Sequence, residues 1–155
     1  MRERIQSAMK EAMKSGNKRR LSTLRLVTAA IKDRDIAARV DEKGQSTGKD
    51  RVDDSDILAL LQKMIKQRRE SVEIYTQGGR EELAEQEAAE IAIIEEFLPQ
   101  QMSEDEIRDA AKAIVAELDA TGLKDMGRVM SALKERYTGQ MDFSKASAMV
   151  KEALK

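Results

Sequence analysis

Apolar residues recur along most of this chain at the three- and four-residue spacing of amphipathic helices, and the two-residue alternation of a strand is almost absent. Ile5, Ala8, Met9, Ala12 and Met13 form a first stripe, ended by Ser15, Gly16 and Asn17. A second helix is predicted from Lys18 to about Val40, with Leu24, Val27, Thr28 and Ile31 on one face. Residues 41–53 hold Gly44, Ser46, Thr47 and Gly48 among charges and read as a solvated, mobile loop. The acidic run Asp53 to Asp56 supplies N-cap candidates for a third helix lined by Ile57, Leu61, Met64, Ile65, Val72 and Tyr75. Gly78 and Gly79 stop it as a left-handed pair. A fourth helix runs from Arg80 to Phe97, with Leu83, Ile91, Ile94 and Leu98 as its apolar side, and Pro99 breaks it.

Beyond Pro99, Ser103 and Glu106 form the S-x-x-E pattern of a capping box ahead of Ile107, Ala110, Ala111, Ile114 and Leu118. Thr121 and Gly122 close that fifth helix. Met126, Val129, Met130, Leu133 and Tyr137 make a sixth stripe closed by Gly139. Asp142 caps a seventh helix carrying Phe143, Ala146, Val150 and Leu154. The expectation is an all-α protein: an N-terminal helical hairpin or bundle over residues 1–99 and a small three-helix domain over residues 100–155.

Composition narrows the chemistry. Among 155 residues there is no Cys, His or Trp, and aromatics are only 3%. Thiolate nucleophiles, imidazole bases and nearly all zinc sites are excluded, and so is an aromatic base-stacking platform. No stretch approaches the roughly 20 apolar residues of a membrane span, and the opening Met1 to Gln6 lacks the apolar core of a signal peptide. A cytoplasmic protein with no membrane association is expected.

The net charge of -1 conceals strong segregation. Residues 1–40 hold 11 basic and 4 acidic side chains, whereas residues 81–106 hold 10 carboxylates and no Lys or Arg. Two readings stand side by side. The two stretches can pack together and neutralise each other. Alternatively Lys18, Arg19 and Arg20, with Arg68 and Arg69, form a polyanion contact. The cluster at Lys18 opens a helix, where cations oppose the macrodipole, so something other than local stability favours it.

No catalytic or cofactor site declares itself. Gly44 to Asp50 resembles a P-loop but is one residue short and has Asp50 where Ser or Thr is needed. Glu81, Glu82, Glu85, Glu87, Glu90, Glu95 and Glu96 read as a solvated helix face, and no metal or other cofactor is expected. The nine Met residues sit on helical stripes as core filler.

The segments Glu70 to Tyr75, Gly78 to Leu83 and Glu90 to Ser103, the opening Ala12-Met13-Lys14 with Leu21 to Leu26, and Asp125 to Met130 followed by Gly139 and Asp142 together resemble the YqeY proteins of the GatB/YqeY family. The resemblance covers essentially the whole chain. It implies a helical N-terminal domain, a small three-helix C-terminal domain and kinship to the tail of GatB, a component of the tRNA-dependent amidotransferase. That tail contacts tRNA, and the amide-forming centre of GatB lies outside it. The implied function is a tRNA-binding accessory module without its own catalytic centre, with tRNA and an aminoacyl-tRNA synthetase or amidotransferase as partners. The tail's Gly-x-Val-Met segment corresponds to Gly127, Arg128, Val129 and Met130, and its downstream Lys and Gly to Lys134 and Gly139. Gln140 and Phe143 depart from the family pattern. Gly127 permits close backbone approach by RNA or by a neighbouring helix. With Lys18, Arg19 and Arg20, the residues Gly127, Arg128, Lys134 and Gly139 are the candidate RNA contacts. The alternative is a protein–protein adaptor with no nucleic-acid role.

Overall fold

Strong helix formers between short polar breaks produce seven α-helices in the computed structural model, which describes residues 1–155. They are α1 (Arg2–Ser15), α2 (Lys18–Ala38), α3 (Asp54–Gln77), α4 (Glu81–Glu95), α5 (Glu104–Glu117), α6 (Met126–Arg136) and α7 (Phe143–Ala153). There is no strand, so the all-α expectation holds. The chain divides into two compact units, Met1–Leu98 and Pro99–Lys155.

In the first unit α2 packs on α1, α3 and α4, and α3 packs along α4. Their facing stripes bury Ile5, Leu24, Val27, Ile57, Leu61, Ile65, Ile94 and Phe97 in one core. Truncating a fully buried member such as Leu61 to Ala costs about 3 kcal/mol in lost transfer energy and cavity. Met13, predicted to be on the core stripe, is exposed because α1 turns it past the edge of the core. A polar pair closes the other end of this unit. Arg2 Nη1 donates to Asp35 Oδ2 at 2.9 Å and Arg2 Nη2 donates to Asp35 Oδ1 at 2.7 Å. Nη2 also donates to the Val52 carbonyl at 2.9 Å, and the Val52 N–H donates to Asp35 Oδ1 at 2.8 Å. No buried side-chain polar atom of this cluster lacks a partner, as a buried carboxylate requires.

Residues 41–53 are solvated, as expected, but they are not shapeless. Val40 and Ser46 bridge as an antiparallel pair. The Asp41 carboxylate accepts from the N–H groups of Lys43 and Gln45, each at 2.9 Å. Thr47 N–H donates to the Arg39 carbonyl at 2.9 Å. Gly44 has a φ of 76°, the left-handed conformation that this tight reversal needs. The result is a small hairpin stitched to the end of α2.

Several helix termini follow the side-chain chemistry. Asp53 caps α3 by accepting from Asp56 N–H at 3.0 Å, and Asp142 caps α7 by accepting from Ser144 N–H at 3.0 Å. Ser103 and Glu106 form the reciprocal capping box at the start of α5. After α3 only Gly79 is left-handed, with a φ of 73°, because Gly78 continues the helical turn. After α5 the left-handed residue is Asp119, not Gly122, whose backbone is extended. The second core joins α5, α6 and α7 through Ile107, Ala111, Ile114, Val129, Leu133, Met141, Ala146 and Val150. A 3-10 turn, Leu123–Asp125, leads into α6.

Candidate nucleic-acid interface

The α1–α2 turn is built by Gly16, which is left-handed at φ 71° and lets Asn17 N–H return to the Ala12 carbonyl at 3.0 Å. Asn17 then caps α2, its side chain accepting from Arg20 N–H at 3.1 Å. This arrangement places Lys18, Arg19 and Arg20 in the first turn of α2, which has no acidic residue. Lys18 and Arg19 are exposed and have no carboxylate partner, and neither does Lys14 on the last turn of α1.

Arg20 differs. Its guanidinium donates to Glu96, just past the end of α4. Arg4 approaches the same segment, donating to the Glu96 carbonyl at 3.2 Å and lying 5.5 Å over the Phe97 ring. Arg68 and Arg69, the other cations considered for a polyanion contact, also face carboxylates. Arg68 Nε donates to Glu90 at 2.9 Å, with Glu87 at 4.0 Å, and Arg69 donates to Glu95 at 2.9 Å. The neutralisation reading therefore holds for Arg20, Arg68 and Arg69. The second half of α4 neutralises Arg68 and Arg69, and Glu96 just beyond it neutralises Arg20. Lys14, Lys18 and Arg19 stay free. Glu81 and Glu82 lie in the first turn of α4, where carboxylates complement the helix dipole. No three acidic groups converge as metal ligands would.

In the second unit, Gly127 lies in the first turn of α6 with its α-carbon facing open space, and a Cβ there would meet nothing within 4 Å. Close packing by a neighbouring helix is thereby removed as the reason for this glycine. Arg128 is exposed but tied locally, donating to Asp125 Oδ1 at 3.1 Å and to the Leu118 carbonyl at 3.2 Å. The Thr121 N–H, reinforced by the Arg128 guanidinium, holds the Asp125 carboxyl below its usual range. Lys134 is exposed with no carboxylate partner. Ser131, also exposed, lies one helical turn after Gly127 and one before Lys134. With Lys124 on the preceding 3-10 turn, these residues make a strip of cations around small side chains.

Gly139 is the candidate that does not belong to this surface. It is buried, its φ is 79°, and its carbonyl accepts from Gln101 Nε2 at 2.6 Å. Next to it the Gln140 carbonyl accepts from Met102 N–H at 2.8 Å. Its place is explained by the reversal between α6 and α7 and by the segment that docks there. Lys14, Lys124 and Ser131 adjoin the candidate residues in the structure and were not among them in the sequence. Nearness to Lys18 across the Gly16 turn was the signal for Lys14, and helical spacing from Gly127 was the signal for the other two.

The Yqey-like protein family profile matches residues 2–154. The chain is 32% identical over 139 residues to altered inheritance of mitochondria protein 41, mitochondrial, of Pyrenophora tritici-repentis, covering 86% of this chain and 71% of that protein. The protein of the same name from Lachancea thermotolerans is 32% identical over 116 residues, covering 74% of this chain and 57% of its own length. An uncharacterized protein of Schizosaccharomyces pombe is 30% identical over 99 residues, covering 64% of this chain and 72% of its own. No helix is long and apolar enough to cross a membrane. With a match along nearly its whole length, this chain belongs to the Yqey-like protein family.

Proposed function

We propose that this protein is a tRNA-binding accessory module with no catalytic centre of its own, holding tRNA for an aminoacyl-tRNA synthetase or an amidotransferase. One observation carries the reading. Lys14, Lys18 and Arg19 remain unpaired around the α1–α2 turn although α4 brings carboxylates to Arg20, Arg68 and Arg69 in the same unit. Free cations concentrated at a helix N-terminus repel one another and oppose the dipole, and a phosphate chain relieves both costs. The strip of Lys124, Gly127, Ser131 and Lys134 has the matching chemistry, since small side chains let a sugar–phosphate backbone come close between two cations. The buried or half-buried state of Phe97, Tyr75, Tyr137 and Phe143 directs recognition to phosphates and shape, not to stacked bases.

The test is fluorescence anisotropy with labelled bulk tRNA at low and physiological salt. Micromolar binding that weakens as salt rises is expected, because released counterions drive it. Lys18→Glu with Arg19→Glu weakens binding about tenfold or more at constant fold, and Lys134→Glu adds to the loss. Absence of binding at low salt, or binding indifferent to these reversals, overturns the reading.

A further inference from the structure

The second helix has two apolar faces. One buries Leu24, Val27 and Ile31 in the core. The other, on the opposite side, carries Leu26, Ala29, Ile36 and Ala37, with Asp33 in its middle, and Val40 follows just past the helix end. Leu26, Ile36 and Val40 are 48%, 50% and 49% exposed, and they account for half of the large apolar side chains so exposed in the molecule. The helical face is about 17 Å long at 1.5 Å per residue. Beside it a groove of about 450 Å³ opens between the end of α2 and the start of α3. Ala38, Val52 and Leu60 line it, with Arg34 and Lys63 as its cations and Asp56 as its acid. Arg25 and Lys32 border the apolar face on its other side, where Lys32 flanks the cleft between α1 and α2, and none of Arg25, Lys32, Arg34 and Lys63 has a carboxylate partner.

We propose that this groove and the adjoining face of α2 dock an acidic amphipathic helix from a partner protein. The alanines permit the close approach of a second helix, about 8 Å between axes, and the exposed Leu, Ile and Val supply the apolar area that a helix lying in a groove needs. The cations along the border select carboxylates on the incoming helix. A second copy of this chain is disfavoured, because self-pairing sets Arg25, Lys32 and Arg34 against themselves. A lipid surface is disfavoured because Asp33 would enter the hydrocarbon, whereas an aqueous helix satisfies it with one hydrogen-bond donor. A nucleic acid gains nothing from Leu26, Ile36 and Val40. The inference stands apart from tRNA binding, which uses the other end of α2.

The test is a display selection of random helical peptides about five turns long against the full chain, counter-selected on the Leu26→Ser/Ile36→Ser variant. Enriched peptides are expected to carry an apolar stripe with Asp or Glu on its flanks. Their affinity falls about tenfold or more against that variant and against Lys32→Glu/Arg34→Glu. All four side chains are exposed, so unchanged circular dichroism confirms that the variants fold. Basic enriched peptides, or peptides that bind the variants undiminished, overturn the proposal. So does failure to enrich any peptide over the counter-selected variant. A dimer in sedimentation that Leu26→Ser/Ile36→Ser dissolves would give the face to a second copy, and loss of anionic-vesicle binding in that variant would give it to lipid. Peptide binding that survives Lys18→Glu/Arg19→Glu separates this outcome from the fate of the RNA reading.

Discussion

Each unit of this protein contains one two-pronged arginine–carboxylate pair, and the two differ in almost everything except geometry. In the first unit Arg2 grips Asp35 with side chains only 23% and 13% exposed. In the second, Arg136 donates to Glu117 at 2.8 and 2.6 Å with side chains 48% and 50% exposed. Both carboxyls are held below their usual range by the facing guanidinium. Water competes for Glu117 and screens it, so its pairing contributes little to the fold. Asp35 has little such competition and also accepts the Val52 N–H, so losing it strands a guanidinium and a backbone donor together. Geometry identifies a pair; burial and the number of groups depending on it decide its weight.

The largest effect that probes this contrast is Asp35→Ala, expected to lower unfolding free energy by about 2–3 kcal/mol in a denaturant titration. A change inside experimental scatter would place the two pairs in one class. Next comes acid. A carboxyl whose folded pKa is depressed contributes stability above its unfolded pKa of about 4, and that contribution drains away as pH falls through the folded value. Wild-type stability should therefore drop more steeply below about pH 4 than that of Asp35→Asn, with the two converging at the acid end. Parallel acid limbs would show that another carboxylate governs the slope. Salt sharpens the comparison further. At about 1 M NaCl the double-mutant coupling of Arg136 with Glu117 should vanish while that of Arg2 with Asp35 persists. The smallest effect is Glu117→Gln, whose thermal midpoint should match wild type, and a clear drop would mean that α5 and α6 rely on this link.

The helices were legible in the sequence because each shows its own periodicity and several carry local caps. Ser103 with Glu106, Asp53 and Asp142 are within three residues of the groups they satisfy. The Arg2–Asp35 pair was half visible. Asp35 falls four residues after Ile31 on the buried line of α2, which marks a buried acid, but its partner comes from 33 residues away. The same distance problem governed the candidate interface. A cluster of cations can be counted from the chain, yet Arg20 and Arg68 find acids 76 and 22 residues away, and only the packing of α2 and α3 against α4 separates them from Lys18 and Arg19. Gly139 went astray for another reason: a glycine required by a turn and one that admits a ligand look identical until φ and burial are known. Met141 joined its core from outside any regular stripe, where periodicity carries no information.

The hairpin that follows α2 has a practical consequence. Its tip at Lys43 and Gly44 is exposed, while Thr47, Ser46 and Asp50 fasten its base to Arg39 and Val40. Loop tips of this kind tolerate inserted sequence because no core contact crosses them. A short labelling tag placed between Lys43 and Gly44 would give a fluorescent reporter beside the α2–α3 groove, leaving both hydrophobic cores as they are.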